Sequence, residues 1–337
     1  MKEGIFYMEK LKMAVVGVGT IGAFHARVLN EADNAELCAV CDLNIELAKK
    51  AAKQYGCKCY TNIDDLAKDK EIKAVIICVP DNFHCETAEK LAKAGKHILI
   101  EKPIAKTVEE ANRIENVCRE SGVRLMVAHT TAFLPHIKIA KEKYSAGEIG
   151  EAVQLDFKHQ STWQIGEFLK GRDSMMFYLG VHDIYSIQLI TGKRIIKVYS
   201  QKVQKISKHS EDCIITLFEM DSGAIGTLNI SWDLPSSYPV DCFSFVINGT
   251  KGILVNDNHT SGIKVFNEDY RIYDMLVQYE MDNKIHGALP AEDSHFASCI
   301  LSNSEFNVKT EDAIDAVRII EGIFKSLETG MPAEILR

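Results

Sequence analysis

The sequence has no long hydrophobic run, no surplus of basic residues and no internal repeat or low-complexity segment. None of its apolar segments approaches the roughly eighteen residues that a membrane-spanning helix requires. The 39 Lys and Arg residues are outnumbered by 47 Asp and Glu residues, and the net charge of -8 leaves no excess of cations to displace counterions from a nucleic acid. We therefore expect neither a membrane nor a nucleic acid as a partner.

The first twelve residues lack the apolar core of a signal peptide, because charged residues surround a short apolar patch. We expect residues 1–12 to be a leading extension of a cytoplasmic protein. Several of the ten cysteines, such as Cys38 and Cys118, lie in apolar segments, which is typical of reducing conditions. No metal is expected, because Cys57-x-Cys59 lacks a second pair at zinc spacing.

The length of 337 residues predicts two domains, since single hydrophobic cores stop growing below this size. Strands and helices alternate up to residue 128, which predicts a doubly wound parallel sheet of the Rossmann type over residues 1–128. Residues 129–337 contain many strand-like runs joined by short turns, so we expect a second α/β domain with a large open, mostly antiparallel sheet. A loop around residues 163–173 and a helix over residues 174–191 are also predicted there.

A glycine-rich turn follows the apolar stretch at residues 13–16. Gly17, Gly19 and Gly22 form the pattern G-x-G-x-x-G. In a dinucleotide site the first glycine permits the tight turn, the second lets a pyrophosphate approach the backbone, and the third lets the helix pack closely on the sheet. The helix N-terminus would then direct its amides at the phosphates. The alternative is a purely structural strand-turn-helix.

Asp42 follows the second apolar strand, twenty residues beyond Gly22, where a carboxylate that binds the ribose is expected. It favours NAD over NADP, because it would repel a 2'-phosphate; the alternative is an exposed acid at a helix entry. Other candidates lie at the carboxyl ends of strands, where doubly wound sheets bind ligands. The predicted cofactor-binding residues are Gly17, Gly19, Thr20, Ile21, Gly22, Asp42, Val79, Pro80, Asn82, His84, Glu101 and Lys102.

Together these segments resemble the Gfo/Idh/MocA oxidoreductases, a family named after glucose-fructose oxidoreductase, inositol dehydrogenase and a rhizopine-catabolism protein. The resemblance rests on GVGTIGAFH at 17–25, VPDNFH at 79–84, AGKHILIEKPIAKTVEEA at 94–111, GEIGE at 147–151, VHDI at 181–184 and NGTKGIL at 248–254. It implies NAD(P)-dependent oxidation of a sugar or polyol hydroxyl by a homodimer or homotetramer that assembles through the C-terminal sheet. It also implies a cis peptide bond between Lys102 and Pro103.

The resemblance implies catalytic roles for Lys102 and His182, with His182 as the acid/base on the reacting hydroxyl. The family's usual carboxylate four residues earlier is replaced by Tyr178, and a further acid three residues after His182 is replaced by Tyr185. Asp183 projects about a hundred degrees away from His182 around the helix, so it is a poor substitute. The candidate substrate residues are Tyr178, His129, Trp163 and Asp183, and His159 is a further pocket candidate.

Three functions fit these residues. The first is an NAD-dependent dehydrogenase that acts on a sugar, inositol or related polyol. The second is a regulatory protein that binds NAD and sugar without catalysis, which the tyrosine at position 178 would favour. The third is an enzyme in which tightly bound NAD is recycled, so that no NADH accumulates.

Overall fold

The computed structural model describes residues 9–236, 242–257, 263–266, 270–273 and 277–337. The chain divides into two compact units, which are each described separately. Unit 1 comprises Met1–Ala105, Glu109–Thr130 and Glu280–Thr310, and unit 2 comprises Lys106–Val108, Thr131–Tyr279 and Glu311–Arg337. The sequence predicted one boundary, after residue 128, whereas in this division Glu280–Thr310 also belongs with the N-terminal segments.

Strands and helices alternate in the first part of the chain. They are β1 (Leu11–Val16), α1 (Thr20–Glu31), β2 (Ala35–Cys41), α2 (Ile45–Tyr55), β3 (Lys58–Tyr60), α3 (Ile63–Lys68), β4 (Ala74–Ile77), α4 (His84–Lys93), β5 (His97–Glu101), α5 (Val108–Glu120) and β6 (Leu125–Ala128). Local sequence explains several of the boundaries. The side chain of Asn44 caps the first turn of α2, and Gly56 ends that helix in the left-handed conformation.

Unit 1 is built on a six-stranded sheet in the order β3-β2-β1-β4-β5-β6, with every neighbouring pair parallel. This is the strand order of dinucleotide-binding doubly wound folds, so the predicted Rossmann sheet is confirmed. The central strands are buried on both faces, which explains why every residue of β4 is apolar. The order reverses between β1 and β4, the place where such sheets bind ligands.

The rest of the chain contributes α6 (Pro135–Ser145), β7 (Ala152–Thr162), α7 (Trp163–Leu169), α8 (Val181–Thr191), β8 (Ile195–Val203), β9 (Cys213–Met220), β10 (Ile225–Leu234), β11 (Cys242–Gly249), β12 (Ile253–Asp257), β13 (Ile263–Phe266), β14 (Tyr270–Tyr273), β15 (Tyr279–Met281), β16 (Lys284–His286), α9 (Ala288–Ser302), α10 (Thr310–Thr329) and β17 (Ala333–Glu334). A π-helical turn, Met176–Gly180, leads into α8.

One local prediction for unit 2 was wrong and another was confirmed. The predicted loop around residues 163–173 begins with helix α7, which packs against β10: a Cβ atom at Gly166 would lie 2.9 Å from the indole nitrogen of Trp232. The helix predicted over residues 174–191 is confirmed: helical structure runs without a break from residue 175 to residue 191, and its Met176–Gly180 turn is π-helical. The hydroxyl of Ser174 caps its start by accepting a hydrogen bond from the amide of Met176. Tertiary packing decided the case of α7, since no side chain caps that helix.

Unit 2 is built on a seven-stranded sheet in the order β12-β11-β7-β10-β9-β8-β17. Only the pairing of β7 with β10 is parallel among the neighbours in this sheet, so the prediction of a mostly antiparallel sheet is confirmed. One face carries buried side chains such as Leu155 and Leu228. The other face exposes several apolar side chains, including Leu217, Ile225 and Val255, which are 55%, 61% and 63% exposed.

Helix α9 belongs to unit 1 although it follows the strands of unit 2 in sequence. Leu289 of α9 packs with Val28 of α1 and with Ile285 in one buried cluster. Beside this cluster the side chain of Asn34 donates hydrogen bonds to the carbonyl oxygen of Ser294 and to the hydroxyl of Ser298, both at 2.8 Å. The α1–α9 contact therefore combines apolar packing with specific polar bonds.

Candidate functional site

The three glycines of the G-x-G-x-x-G turn have different surroundings, and each fits its predicted role. Gly17 has a φ of +87°, and a Cβ atom there would lie 2.7 Å from the carbonyl oxygen of Cys78. A Cβ atom at Gly22 would lie 1.9 Å from the carbonyl oxygen of Gly17, so α1 approaches the turn as closely as glycine allows. Around Gly19, by contrast, a Cβ atom would meet nothing within 4 Å. The turn thus leaves open space at its middle glycine, where a pyrophosphate is expected.

Helix α1 begins at Thr20 directly after this open space. Its N-cap residue is Gly19, which has no side chain that could bind the first amides of the helix. The amides at the start of α1 therefore remain suited to an anion, as a dinucleotide site requires. Ile21 occupies the same first turn and is partly buried against the α1–α9 cluster. This geometry fits the diphosphate of a dinucleotide.

Asp42 lies at the carboxyl end of β2 and is fixed by two backbone amides. Its Oδ2 accepts a hydrogen bond from the amide of Val18 in the glycine turn, and its Oδ1 accepts one from the amide of Asn44, both at 2.8 Å. Each oxygen retains a second lone pair. The carboxylate is therefore held beside the glycine turn with acceptor capacity left for a ribose hydroxyl, as predicted.

His84 is buried and its ring joins two neighbouring strand ends. Its Nδ1 lies 2.9 Å from the carbonyl oxygen of Pro103, and its Nε2 lies 3.0 Å from that of Val79. Burial lowers the pKa of this histidine, which favours the neutral ring. Its side chain thus supports the fold, and the cofactor contact predicted for this residue stays a prediction. Pro80 and Asn82, on the same segment, are exposed.

Lys102 follows β5, and its peptide bond to Pro103 is cis, as the family resemblance implied. The backbone amide of Lys102 donates a 3.0 Å hydrogen bond to Oε2 of Glu101. His129 follows the adjacent strand β6 and is buried completely. Burial, assisted by the positive charge of Lys102, lowers the pKa of His129 to about 3, so this imidazole is neutral at physiological pH. The fold thus brings these two predicted residues close enough to interact electrostatically.

Five strands of unit 1 end at one edge of the parallel sheet, and the predicted residues follow them. The glycine turn, Asp42, the 79–84 segment, Lys102 and His129 come after β1, β2, β4, β5 and β6, respectively. Because parallel strands share one carboxyl edge, these residues lie on the ligand-binding side of the sheet. The sequence did not single out His25 or Asp293. His25 is hydrogen-bonded to Glu101, the residue before Lys102, and Asp293 is hydrogen-bonded to His25. Only the position of His25 within the GVGTIGAFH segment pointed to it.

The remaining catalytic candidates belong to unit 2. His182 lies in the first turn of α8 and is partly buried, and Tyr178 lies in the preceding π-helical turn, where π-helical geometry is often found at functional sites. The ring of Tyr178 is 6.3 Å from that of Trp232, centroid to centroid. Trp163 opens helix α7 and is partly buried.

Asp183 is buried completely and is hydrogen-bonded to a histidine within unit 2. Its Oδ2 lies 2.8 Å from Nδ1 of His159 on β7. Burial raises the pKa of Asp183, and the neighbouring histidine opposes this shift only in part. The side chain of Asp183 faces His159, and its role as a substrate residue stays a prediction. His159, with a side chain 12% exposed, is the member of the pair nearer to solvent.

Among the described residues, no group of three or more His, Cys, Asp or Glu side chains is arranged to hold a metal ion. None of the helices that the structure describes combines the length and apolarity needed to cross a membrane.

Comparison with known families identifies both halves of the chain. Residues 11–129 match the NAD-binding Rossmann fold of the Gfo/Idh/MocA oxidoreductase family, and residues 141–335 match the C-terminal alpha/beta domain of the same family. The chain belongs to the Gfo/Idh/MocA oxidoreductase family. The resemblance inferred from the sequence is therefore confirmed, as are the predictions of an oxidoreductase and of NAD as its cofactor.

Relatives within the Gfo/Idh/MocA family cover most of this chain. It is 25% identical over 335 residues to scyllo-inositol 2-dehydrogenase (NAD(+)) of Bacillus subtilis, an alignment that covers 97% of each chain. It is 28% identical over 296 residues to 2,7-anhydro-N-acetylneuraminate hydratase of Escherichia coli, covering 84% of this chain and 77% of the relative. The crystal structure of scyllo-inositol dehydrogenase from Lactobacillus casei with NAD(H) and scyllo-inositol has a TM-score of 0.83 at 20% identity, covering 97% and 99% of the two chains. That likeness supports the fold.

Proposed function

We propose that the protein is an NAD-dependent dehydrogenase that oxidises a hydroxyl group of a sugar, an inositol or a related polyol. The observation that carries this proposal is the common edge of the unit 1 sheet, where an open glycine turn, a fixed carboxylate and a lysine follow β1, β2 and β5. The scyllo-inositol dehydrogenase of Bacillus subtilis, which aligns over nearly the whole chain, supports the substrate class.

The cofactor is assigned to residues 1–128, the proposed NAD-binding domain. The turn from Gly17 to Gly22 would hold the diphosphate at the start of α1, and Asp42 would accept hydrogen bonds from the adenosine ribose. Residues Val79, Pro80 and Asn82 would line the path toward the nicotinamide. NAD, when bound, accepts a hydride from the carbon that carries the reacting hydroxyl. NADP is disfavoured because its 2'-phosphate would meet the carboxylate of Asp42.

The proton of the reacting hydroxyl requires a separate acceptor, and we assign acid/base roles to His182 and Lys102. A histidine changes its protonation state near neutral pH, so it suits the removal of a hydroxyl proton. The ammonium of Lys102 would stabilise the negative charge that develops on the oxygen as the proton leaves. Tyr178 stands where the family usually has a carboxylate, and its neutral phenol would contact the substrate by hydrogen bonding.

Residues 129–337 are the proposed substrate-binding and oligomerisation domain. Trp163 and His129 are proposed to help bind the substrate. The open face of the unit 2 sheet carries the exposed side chains of Leu217, Ile225 and Val255. An exposed apolar patch of this kind is typical of a protein interface, and it supports a homodimer or homotetramer formed through this sheet.

The proposed activity is tested with a panel of inositols, aldoses and their polyols, with NAD as oxidant. Substrate consumption and NADH absorbance are followed together. Oxidation of at least one member with equal formation of NADH would support the dehydrogenase. Loss of substrate without NADH would favour recycled NAD instead, and tight NAD binding without any turnover would favour a regulatory protein.

Two variants and matched controls then test the assigned residues. Lys102→Ala and His182→Asn are each expected to lower kcat by about 100-fold or more, because each removes a group that handles the proton or its charge. Lys93→Ala and His209→Asn alter exposed residues of the same types and should leave kcat unchanged. NAD binding, measured by thermal stabilisation, should persist in all four variants. Retained turnover in Lys102→Ala would refute its assignment.

A further inference from the structure

A buried histidine connects three separate elements of unit 1. His25 of α1 is completely buried, with Nδ1 2.9 Å from both carboxylate oxygens of Asp293 on α9. Its Nε2 lies 3.0 Å from Oε1 of Glu101 at the end of β5. A single imidazole thus makes a hydrogen bond to a carboxylate from each of its two ring nitrogens.

The surrounding charges favour the protonated form of this ring. Burial alone would lower the pKa of His25, but the charges and hydrogen bonds of Asp293 and Glu101 together raise it well above its ordinary value. Burial tends to raise the pKa of Glu101, but the hydrogen bond and charge of His25, together with the charge of Lys102, hold it below its usual range. Both ring nitrogens face carboxyl oxygens, so the geometry and the raised pKa of His25 together favour the imidazolium, in which both nitrogens act as donors. Burial raises the pKa of Asp293, and the charge and hydrogen bond of His25 oppose this shift.

Two other titratable groups face this cluster. Glu292, next to Asp293 on α9, is buried, and its desolvation together with the charges of Glu101 and Asp293 raises the pKa of its carboxyl well above normal. Cys78, after β4, is partly buried, and the pKa of its thiol is also raised well above normal, mainly by desolvation. These shifts favour the neutral form of both groups. The charges that act within the cluster are those of His25, Asp293, Glu101 and Lys102.

The two oxygens of Glu101 bind different partners. Oε1 faces His25, whereas Oε2 accepts the hydrogen bond from the backbone amide of Lys102. The carboxylate can therefore hold Lys102 only while its own orientation is fixed, and His25 provides that orientation. Asp293 in turn fixes the ring of His25 from the opposite side.

We propose that His25 and Asp293 are positioning residues for Lys102, which they hold through the Glu101 carboxylate. This inference rests on the catalytic role proposed for Lys102. Buried ion pairs are weak evidence for stability, because desolvation offsets much of their attraction. This group lies next to the proposed catalytic lysine, so we assign it a role in positioning that residue. A displacement of about 1 Å of a catalytic group can cost about 100-fold in rate.

The test uses Asp293→Asn and His25→Gln in the full chain. Asp293→Asn keeps an acceptor oxygen toward His25 but removes the negative charge. The matched control is Asn34→Ala, which removes polar bonds between the loop after α1 and α9 without touching Glu101. We expect Asp293→Asn and His25→Gln to lower kcat by about 10- to 100-fold and to displace its pH profile, with KM for NAD changed less than about 3-fold. Asn34→Ala should retain the wild-type kcat and pH profile.

A second measurement does not depend on turnover. Trace acetylation by acetic anhydride, followed by mass spectrometry, reports the reactivity of Lys102 relative to the exposed Lys93 in the same sample. We expect this ratio to change by at least about 3-fold in Asp293→Asn and in His25→Gln but not in Asn34→Ala. An unchanged ratio in both variants would overturn the positioning role, even if the wild-type protein oxidised no polyol. A changed ratio in a protein without dehydrogenase activity would support positioning while refuting the proposed function.

Discussion

Nδ1 of His159 lies 2.8 Å from Oδ2 of Asp183, whose carboxylate is completely buried in unit 2. Asp183→Ala is expected to lower the free energy of unfolding by about 1–3 kcal/mol, because it removes the buried carboxyl group that is hydrogen-bonded to Nδ1 of His159. Asp183→Asn keeps an acceptor oxygen in that place and should cost about 1 kcal/mol. Urea denaturation measures both variants, with the exposed acid Glu328→Ala on α10 as control. Equal losses in Asp183→Ala and Glu328→Ala would contradict the assignment.

Alanine substitutions at two glycines of the turn should have different effects, one on stability and the other on NAD binding. Gly22→Ala should destabilise the protein without any ligand by about 1–3 kcal/mol, because its Cβ atom would lie 1.9 Å from the carbonyl oxygen of Gly17. Gly19→Ala should leave the free energy of unfolding within about 0.5 kcal/mol, since nothing lies within 4 Å of its Cβ atom. Its methyl group would instead obstruct the pyrophosphate. Calorimetric titration with NAD should show weaker binding by Gly19→Ala, and undiminished affinity would refute this placement of the cofactor.

Glu292 should make the protein less stable as the pH rises. Burial and two neighbouring carboxylates raise the pKa of its carboxyl well above the ordinary 4.5. Above that ordinary value the unfolded chain releases the proton while the folded protein retains it, so folding becomes less favourable with increasing pH. Glu292→Gln should match the wild type near pH 4 and exceed its stability by at least about 1 kcal/mol near pH 8.

Chemical denaturation at both pH values measures this difference, and Glu305→Gln, an exposed acid in the same unit, is its control. A Glu292→Gln variant that is less stable than the wild type at pH 8 would mean that the ionised carboxylate is the form the fold prefers.

Asp42 should determine the choice between the two nicotinamide cofactors. We expect Asp42→Ala to lose about 10- to 100-fold in kcat/KM for NAD, because hydrogen bonds to a charged group contribute about 1.5–3 kcal/mol. The same change should leave kcat/KM for NADP equal or higher, since it removes the repulsion of the 2'-phosphate. Initial-rate kinetics with both cofactors checks the ratio, with Glu46→Gln at the start of α2 as control. A parallel loss for both cofactors would point to damage in the glycine turn, which Asp42 also binds.

The open face of the unit 2 sheet should carry the subunit interface. Leu217, 55% exposed, faces the same side as Ile225 and Val255. Leu217→Glu would place a charge in an apolar contact, so the mass in sedimentation equilibrium should fall from a multiple of 37.7 kDa toward that of one chain. Lys93→Glu, in unit 1, should leave the mass unchanged. A wild-type protein that sediments as a monomer would exclude this interface.

Much of unit 1 could be predicted from its sequence because its determinants are local. The apolar strand before Gly17 depends on a few neighbouring residues, and the structure confirms it as β1. The cap at Asn44 and the left-handed Gly56, which bound α2, are local features of the same kind. The position of Lys102 at a strand end and its cis bond to Pro103 are confirmed in the same way. The roles predicted for these residues in binding and catalysis stay predictions.

What the sequence did not predict depends on distant contacts. The ring of His84 serves the scaffold because the carbonyls of Val79 and Pro103 converge on it, and Asp183 is buried because His159 on another strand faces it. Helix α7 forms where packing against Trp232 favours it over the expected loop. Periodicity and capping rules use only residues that are near in sequence. They therefore do not predict which distant strand or helix supplies such a neighbour.

The bond between His25 and Asp293 joins residues 268 positions apart and has a consequence for synthesis of the chain. A ribosome completes every strand of the unit 1 sheet long before it delivers α9. Until then His25 and Glu101 lack the third member of their ion group, and the apolar side of α1 lacks Leu289. The NAD-binding half is thus expected to mature only near the end of translation, and a product truncated after residue 130 should be recognised by proteases as unfinished.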